Sequence, residues 1–290
     1  SEMNTTHTVL LVGGTGRTGA RVLEQLLNCG VSVRAIVRST DRLPMGAAHA
    51  PRLEIVAAAL LSLGDEDLLR NVRGCDAVIS CLGHVLSLKG IFGPPRDLVT
   101  QATRRLCRAI VAAQPATPVK FILMSSVSVN QPAGRDAHRG AFEKGVVWML
   151  RGVLPPAKDN QDAADFLCDS VGTSSSFVQW AAVRPDTLLE GDVTEYTRHE
   201  NLVSSLFRPD RTNMANVAHF MCEMARSDVV WDRWSGRLPV IVNADTLLAD
   251  DYFGQTDVNG DLQLIRHLGN LPAGFDIVHL YAQSFYIRPA

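Results

Sequence analysis

The stretch Val9-Leu10-Leu11-Val12-Gly13-Gly14-Thr15-Gly16-Arg17-Thr18-Gly19 limits the fold of this chain more than any other. A short apolar run reads as a buried parallel strand. It ends directly in glycines at G-x-x-G-x-x-G spacing (Gly13, Gly16, Gly19). Val22, Leu23, Leu26 and Leu27 then share one face of a helix. A strand, a tight turn and a helix N-terminus together make an anion site, because free backbone N–H groups and the helix dipole both favour a pyrophosphate there. Gly13 permits the turn, Gly16 lets a phosphate approach the backbone, and Gly19 lets the helix pack on its strand. Glycine spacing alone also fits an ordinary turn. The strand before, the helix after and a second strand at 31–37 favour dinucleotide binding, with Thr15, Arg17 and Thr18 among its contacts.

Strand and helix patterns alternate along the chain, which predicts an α/β fold with a doubly wound, Rossmann-like parallel sheet covered on both faces. Strands are expected at 8–12, 31–37, 53–58, 76–81, 119–125, 177–183 and 238–242. Helices are expected at 17–29, 65–73, 96–113, 158–170 and 213–226, the last with Asn213 as its N-cap. At 290 residues the chain suits one α/β domain with a small C-terminal lobe. Residues 1–245 form the nucleotide-binding domain, with substrate-side elements at 131–156 and 186–235. Residues 246–290 read as an extension docked on the domain or used in subunit contact. Asn259-Gly260 marks a hairpin there. The nearby Asp257–Asp261 run resembles a calcium loop but lacks its terminal glutamate, so a simple turn is preferred and no metal is expected.

Composition narrows the function. Lys+Arg is 28 and Asp+Glu is 30, for a net charge of −2, so nothing suggests a nucleic-acid surface. The six cysteines are scattered without a C-x-x-C pair, as in reduced cytosolic proteins. No apolar run reaches the length of a membrane span, and residues 1–8 lack a secretory apolar core. A cytoplasmic location is expected, with organellar import of a processed chain left open.

Arg38 stands where the second strand ends, in Ala35-Ile36-Val37-Arg38-Ser39. That position faces the adenosine ribose in dinucleotide folds. An acid there selects NAD, whereas a cation accommodates the 2′-phosphate of NADP. No acid precedes Arg38 in the strand, and Arg17 and Arg42 add charge. A guanidinium fork suits phosphate. The expected cofactor is therefore NADP (NADPH). A solvated arginine at a strand end is the plainer alternative.

The glycine spacing resembles that of extended and atypical short-chain dehydrogenase/reductases, in particular their NmrA-like, NAD(P)-binding group. Three more stretches carry the resemblance. Ala77-Val78-Ile79-Ser80-Cys81-Leu82-Gly83 looks like the fourth strand, which passes under the cofactor. Phe121-Ile122-Leu123-Met124-Ser125-Ser126 looks like the fifth, and Val183-Arg184-Pro185 like the end of the sixth. The resemblance covers roughly residues 8–245. It implies cofactor contacts at Cys81, Leu82, Gly83, Ser125 and Pro185.

One departure matters. The wider family uses Y-x-x-x-K, in which the tyrosine moves the proton that accompanies hydride transfer. The four tyrosines here are Tyr196, Tyr252, Tyr281 and Tyr286, and none lies between Ser126 and the sixth strand. Lys158 sits where the lysine belongs, but Leu154 occupies the tyrosine position. Lys158 and Ser126 are the candidate catalytic residues, with Lys158 also a cofactor contact. A helix-start surface lysine and a hydroxyl satisfying backbone at a strand end are equally good readings of them. His84 and His138 can move protons near neutral pH, yet read more simply as packed or surface histidines. Glu143-Lys144 and Arg135-Asp136 read as solvated charge, and Trp231 and Trp234 as lobe packing.

Three functions fit. The first is an NADPH-dependent reductase lacking the tyrosine acid, acting on a small conjugated acceptor of the quinone, flavin, tetrapyrrole or enone type. The second is a non-catalytic NAD(P) sensor or assembly factor that binds a regulatory protein partner. The third, disfavoured by the missing tyrosine, is an epimerase that recycles its own cofactor. Either a monomer or a homodimer is compatible with the sequence.

Overall fold

The computed structural model describes residues 7–83, 93–132, 155–204 and 209–244, together with Asp136, Gly145 and Trp148. Strand β1 (Thr8–Val12) lies inside the sheet, and Val9 to Val12 are fully buried. Its neighbours are β2 (Ser32–Val37) and β4 (Ala77–Ser80), both parallel, with Val12 beside Ile36 and Ser80. The sheet continues through β3 (Leu53–Ala57), β5 (Val119–Met124) and β6 (Val178–Pro185). Three further strands, β7 (Thr187–Leu189), β8 (Tyr196–His199) and β9 (Arg211–Asn213), precede β10 (Val240–Asn243). The eight-stranded order is β3-β2-β1-β4-β5-β6-β10-β8, parallel except for the β8–β10 pair, and β7 and β9 form a separate two-stranded ribbon. Reversal of strand order between β1 and β4 opens a crevice at the strands' carboxyl ends, where ligands of such sheets bind.

Alternation along β1 sorts the two cores. Val9 and Leu11 face helices α1 (Arg17–Asn28) and, later in the chain, Met214–Arg226. Leu10 and Val12 face α2 (Asp65–Val72), α3 (Leu98–Ala113) and α4 (Pro155–Asp165). Met214–Arg226 is α5, followed by α6 (Asp228–Trp234). Trp231 and Trp234 are buried in the α1 side of the core. Among the described residues no helix is long and apolar enough to cross a membrane. No two of the six cysteines are bonded.

The seven expected strands and five expected helices are present, with shifted ends. Helix α4 is already helical at Pro155, ahead of the expected 158, and ends in a π-helical turn, Phe166–Val171. Strands β7, β8 and β9 and helix α6 are too short to leave a periodic signature. Asn213 precedes α5, but its side chain does not cap the helix. Its amide instead bonds the carbonyl of Asp192 at 3.0 Å and pairs with Asn243.

Asp136 corrects the sequence reading. It is not solvated; it is 4% exposed and paired with Arg184, which is fully buried. Arg184 Nη1 and Nη2 donate to the two carboxylate oxygens at 2.8 and 3.3 Å, while Nε reaches the Leu238 carbonyl and Nη1 that of Val129. The Gln131 and Leu202 amides donate to the same carboxylate. His84, Arg135, His138, Glu143-Lys144, most of 131–156 and the 246–290 extension, with its Asn259-Gly260 hairpin and Asp257–Asp261 run, lie outside the described residues.

A second buried carboxylate fixes α4 against α3. Asp159 accepts from the backbone N–H groups of Val99 and Thr100 at 2.8 and 2.9 Å and from the Thr100 hydroxyl at 2.6 Å. It serves the free N–H groups of α3 in place of Asp97, whose side chain makes no cap bond. Asp159→Ala is expected to cost about 2–4 kcal/mol, because buried donors lose a charged acceptor. A lower urea midpoint at unchanged slope would show it.

Candidate nucleotide-binding cavity

A cavity of about 660 Å³ opens at the carboxyl ends of β1 to β6. That size is ordinary for a site that encloses a cofactor or small ligand. Gly13, Thr15, Gly16, Arg17 and Thr18 line its floor. Gly13 holds a positive φ of 78°, and a Cβ there would lie 2.5 Å from the Cys81 carbonyl group. Gly16 donates its N–H to the Gly13 carbonyl at 3.0 Å and starts α1, which turns the helix N-terminus to the cavity. Gly19 does not line the cavity. A Cβ on it would lie 2.0 Å from the Gly13 carbonyl oxygen, so its role is the close seating of α1 on the turn.

The β2 and β3 end of the cavity carries Arg38 and Arg42 beside Ala58, Ala59, Leu60 and Leu61. Arg105 of α3 fixes that wall by donating to the Leu61 carbonyl at 3.0 Å and the Leu63 carbonyl at 2.5 Å. Among the described residues no acid engages Arg38 or Arg42. Arg17 differs: with Arg21 it forms an ion pair to Glu190, just past β7, and the two guanidinium groups hold that carboxyl below its usual range.

At the β4 to β6 end the wall is Cys81, Leu82, Gly83, Met124, Ser125, Ser126, Asn160, Pro185, Asp186, Leu188 and Met214. Burial pushes the Cys81 thiol up to about 12, which makes it a packing group and not a nucleophile. The Ser126 hydroxyl is 2.5 Å from that of Ser128 and accepts the Ser128 N–H at 3.3 Å. The Ser125 hydroxyl is buried and has no partner among the described residues. An orphaned buried donor on the wall of a ligand-sized cavity is what a bound polar ligand satisfies.

Lys158 is not brought to the cavity. Its ammonium is exposed and paired with Asp162 one helical turn on. Within α4 Lys158 faces solvent, Asp159 faces α3 and Asn160 faces the cavity. Tyr196 does not fill the catalytic vacancy either. Its hydroxyl bonds His219 Nδ1 at 2.7 Å and Glu223 at 3.2 Å, at the β8 edge of the sheet. Among the described residues no tyrosine lines the cavity.

Asp186 is the lining residue that sequence reasoning missed. It follows Pro185, is 2% exposed, and accepts from the Thr187 amide at 2.7 Å and from the Ser204 hydroxyl. Burial pushes its carboxyl up to about 6, helped by the like charge of Asp210 and opposed by those hydrogen bonds. Its one sequence signal is an acid placed directly after an apolar strand end.

The sequence matches the NAD(P)H-binding family over residues 13–228. The chain belongs to this family. Its glycine turn and mostly parallel sheet give it the fold of atypical short-chain dehydrogenase/reductases. Among curated relatives, an uncharacterized chloroplastic protein of Arabidopsis thaliana is 33% identical over 133 residues, 44% of each chain. A Synechocystis protein assigned by name to the dihydroflavonol 4-reductases is 28% identical over 166 residues, 52% of this chain and 46% of that one. The match thus spans less than half the length of either relative. A Veillonella parvula short-chain dehydrogenase/reductase in complex with NADP superimposes with a TM-score of 0.59 at 11% identity, over 83% of this chain and 96% of that one. At that identity the likeness is one of fold.

Proposed function

We propose that this protein is an NADPH-dependent reductase of a small conjugated acceptor. The observation that carries the proposal is that one cavity joins two unengaged arginines at its β2 end to an apolar, acid-bearing wall at β5 and β6. The Synechocystis relative's name and the NADP held by the Veillonella structure agree with this reading.

The chain's residues fit a dinucleotide by their chemistry. The Gly13–Thr18 turn and the α1 N-terminus would hold the pyrophosphate. Arg38 and Arg42 would hold the 2′-phosphate, because a guanidinium fork donates several bonds to phosphate oxygens. Gly83, Ser125 and Pro185 would meet the nicotinamide half, with the Ser125 hydroxyl gaining the partner it lacks. When bound, the reduced nicotinamide supplies a hydride. The apolar side chains Leu82, Met124, Leu188 and Met214 exclude water and present a flat, hydrophobic face to the acceptor. An enone accepts hydride at its activated β-carbon and a flavin at N5, so positioning supplies much of the catalysis.

Fluorescence titration with NADPH and NADH tests the cofactor. Preference for NADPH is expected, and Arg38→Asp should shift the NADPH/NADH affinity ratio by about ten- to a hundredfold, the worth of one or two charged hydrogen bonds. An unchanged ratio would remove Arg38 from the site. Tight NADPH binding without turnover of any quinone, flavin or enone would favour a sensor.

A further inference from the structure

Among the described residues, the titratable side chains that line the cavity are Arg17, Arg38, Arg42, Cys81 and Asp186. Arginine does not give up its proton in proteins. The Cys81 thiol holds its proton to about pH 12. The hydroxyls of Ser125 and Ser126 are poor acids unless a cation lies beside them, and the Lys158 ammonium is turned away to Asp162. Asp186 remains. It stands at the β6 end, beside Pro185 and across from Ser125 and Ser126, where the end of β5 runs alongside it (Ser125 N to Val183 O, 2.7 Å).

We propose that Asp186 donates the proton that accompanies hydride transfer, in the place of the missing tyrosine. This rests on the reductase reading above. Several donors fix the carboxyl group: the Thr187 amide and, at 3.4 Å, the Thr187 hydroxyl on Oδ1, the Ser204 hydroxyl on Oδ2, and the Asp210 backbone N–H. Among the described residues no cation pairs with Asp186. Arg184, two positions earlier, is bonded to Asp136. Burial is the main cause that opposes ionisation of Asp186; the charge of Asp210 adds to it, while the Asp210 backbone N–H, like the Thr187 and Ser204 donors, favours the carboxylate. A buried carboxyl with a like-charged neighbour and no cation keeps its proton toward neutral pH. An acid of pKa near 6 is well matched to proton transfer at physiological pH.

The step balances. A conjugated carbonyl acceptor gains a hydride on carbon from the reduced nicotinamide, which is thereby oxidised. The Asp186 O–H bond breaks, and its proton forms an O–H bond on the acceptor's carbonyl oxygen. The carboxylate left behind takes a proton from water.

The test compares wild type, Asp186→Asn and Ser204→Ala with 1,4-benzoquinone and 2-cyclohexenone as acceptors, across pH 5–9. For wild type, kcat/KM should be level below about pH 6 and fall tenfold per pH unit above it. Asp186→Asn, which keeps the shape, should lose roughly 10²- to 10⁴-fold in kcat and the pH dependence with it, while NADPH affinity stays within about twofold. Ser204→Ala removes a bond that lowers the Asp186 pKa, so the falling limb should move to higher pH. A purely structural role for Asp186 would not move that limb. A second readout uses the protein without cofactor. Between the ordinary carboxylate pKa and about 6 the folded state binds more protons than the unfolded, so wild-type stability should fall with rising pH relative to Asp186→Asn, then level off. Wild-type rates and pH profile in Asp186→Asn, or a flat stability difference from pH 4 to 7, would overturn the proposal. NADPH binding with no turnover of any acceptor, together with an intact stability titration near 6, would instead remove the reductase reading and the donor role with it.

Discussion

Asp136→Ala should lower the stability of the protein by about 3–5 kcal/mol, enough to unfold much of a marginally stable population. The cost arises on the other side of the pair. Arg184 is wholly buried, and without Asp136 its charge keeps, among the described residues, the Leu238, Val129 and Glu200 carbonyls as partners. The Gln131 and Leu202 amides lose their acceptor in the same substitution. The pair also sets an acid limit. Burial alone would push the Asp136 carboxyl up, but the Arg184 hydrogen bonds and charge outweigh it and hold the carboxyl below its usual value. A lowered folded-state pKa gives stability that is fully present above the unfolded pKa and is lost as pH falls through the folded one. The urea-unfolding gap between Asp136→Ala and wild type should therefore be full at pH 7 and narrow progressively as pH falls below the ordinary carboxylate pKa. Joint replacement with Arg184→Met and Asp136→Leu should cost less than Asp136→Ala alone, since no uncompensated charge remains. Equal costs would show that the pair acts through its contacts and not its charge.

The same pair marks where sequence reasoning reaches its limit. Asp136 follows Arg135, and adjacent opposite charges look like a solvated surface. The true partner is 48 residues away, at the end of a strand. Nothing local announces a pairing formed by tertiary structure. The sheet, by contrast, is legible because burial on both faces forces continuous apolar runs, as in Val9–Val12 and Ala77–Ser80. The floor of the cavity is legible because its chemistry sits within one turn, where backbone geometry dictates the residue type. Its far wall is assembled from single residues of separate elements, and Asp186, Leu188 and Met214 carry no spacing. Lys158 shows a third kind of limit. The family spacing places a lysine there, but each helical residue turns the side chain by about 100°, so the seating of Asp159 on α3 leaves Asn160, not Lys158, to meet the cavity.

Gly19→Ala should abolish tight nucleotide binding and destabilise the fold, although intrinsic propensity argues for the opposite. Alanine is favoured over glycine inside a helix by about 1 kcal/mol, and Gly19 lies in the first turn of α1 with an unremarkable φ. Sterics decide the sign. The added methyl would lie 2.0 Å from the Gly13 carbonyl oxygen, 2.8 Å from its carbon and 3.2 Å from the Gly14 Cα. These are backbone atoms of the turn itself, so no rotamer change relieves the overlap. Either α1 lifts off β1 or the turn shifts into the cavity, at an overpacking cost of about 1–3 kcal/mol or more. Either movement misaligns the N–H groups of Arg17 and Thr18. Each charged hydrogen bond lost to a phosphate is worth about 1.5–3 kcal/mol, so NADPH affinity should fall at least about tenfold per bond. Gly14→Ala is the control. Its Cβ would meet only the Leu11 side chain, at 3.1 Å, which can give way. If Gly19→Ala bound NADPH as well as Gly14→Ala does, the close seating of the helix on its strand would not be what shapes the site.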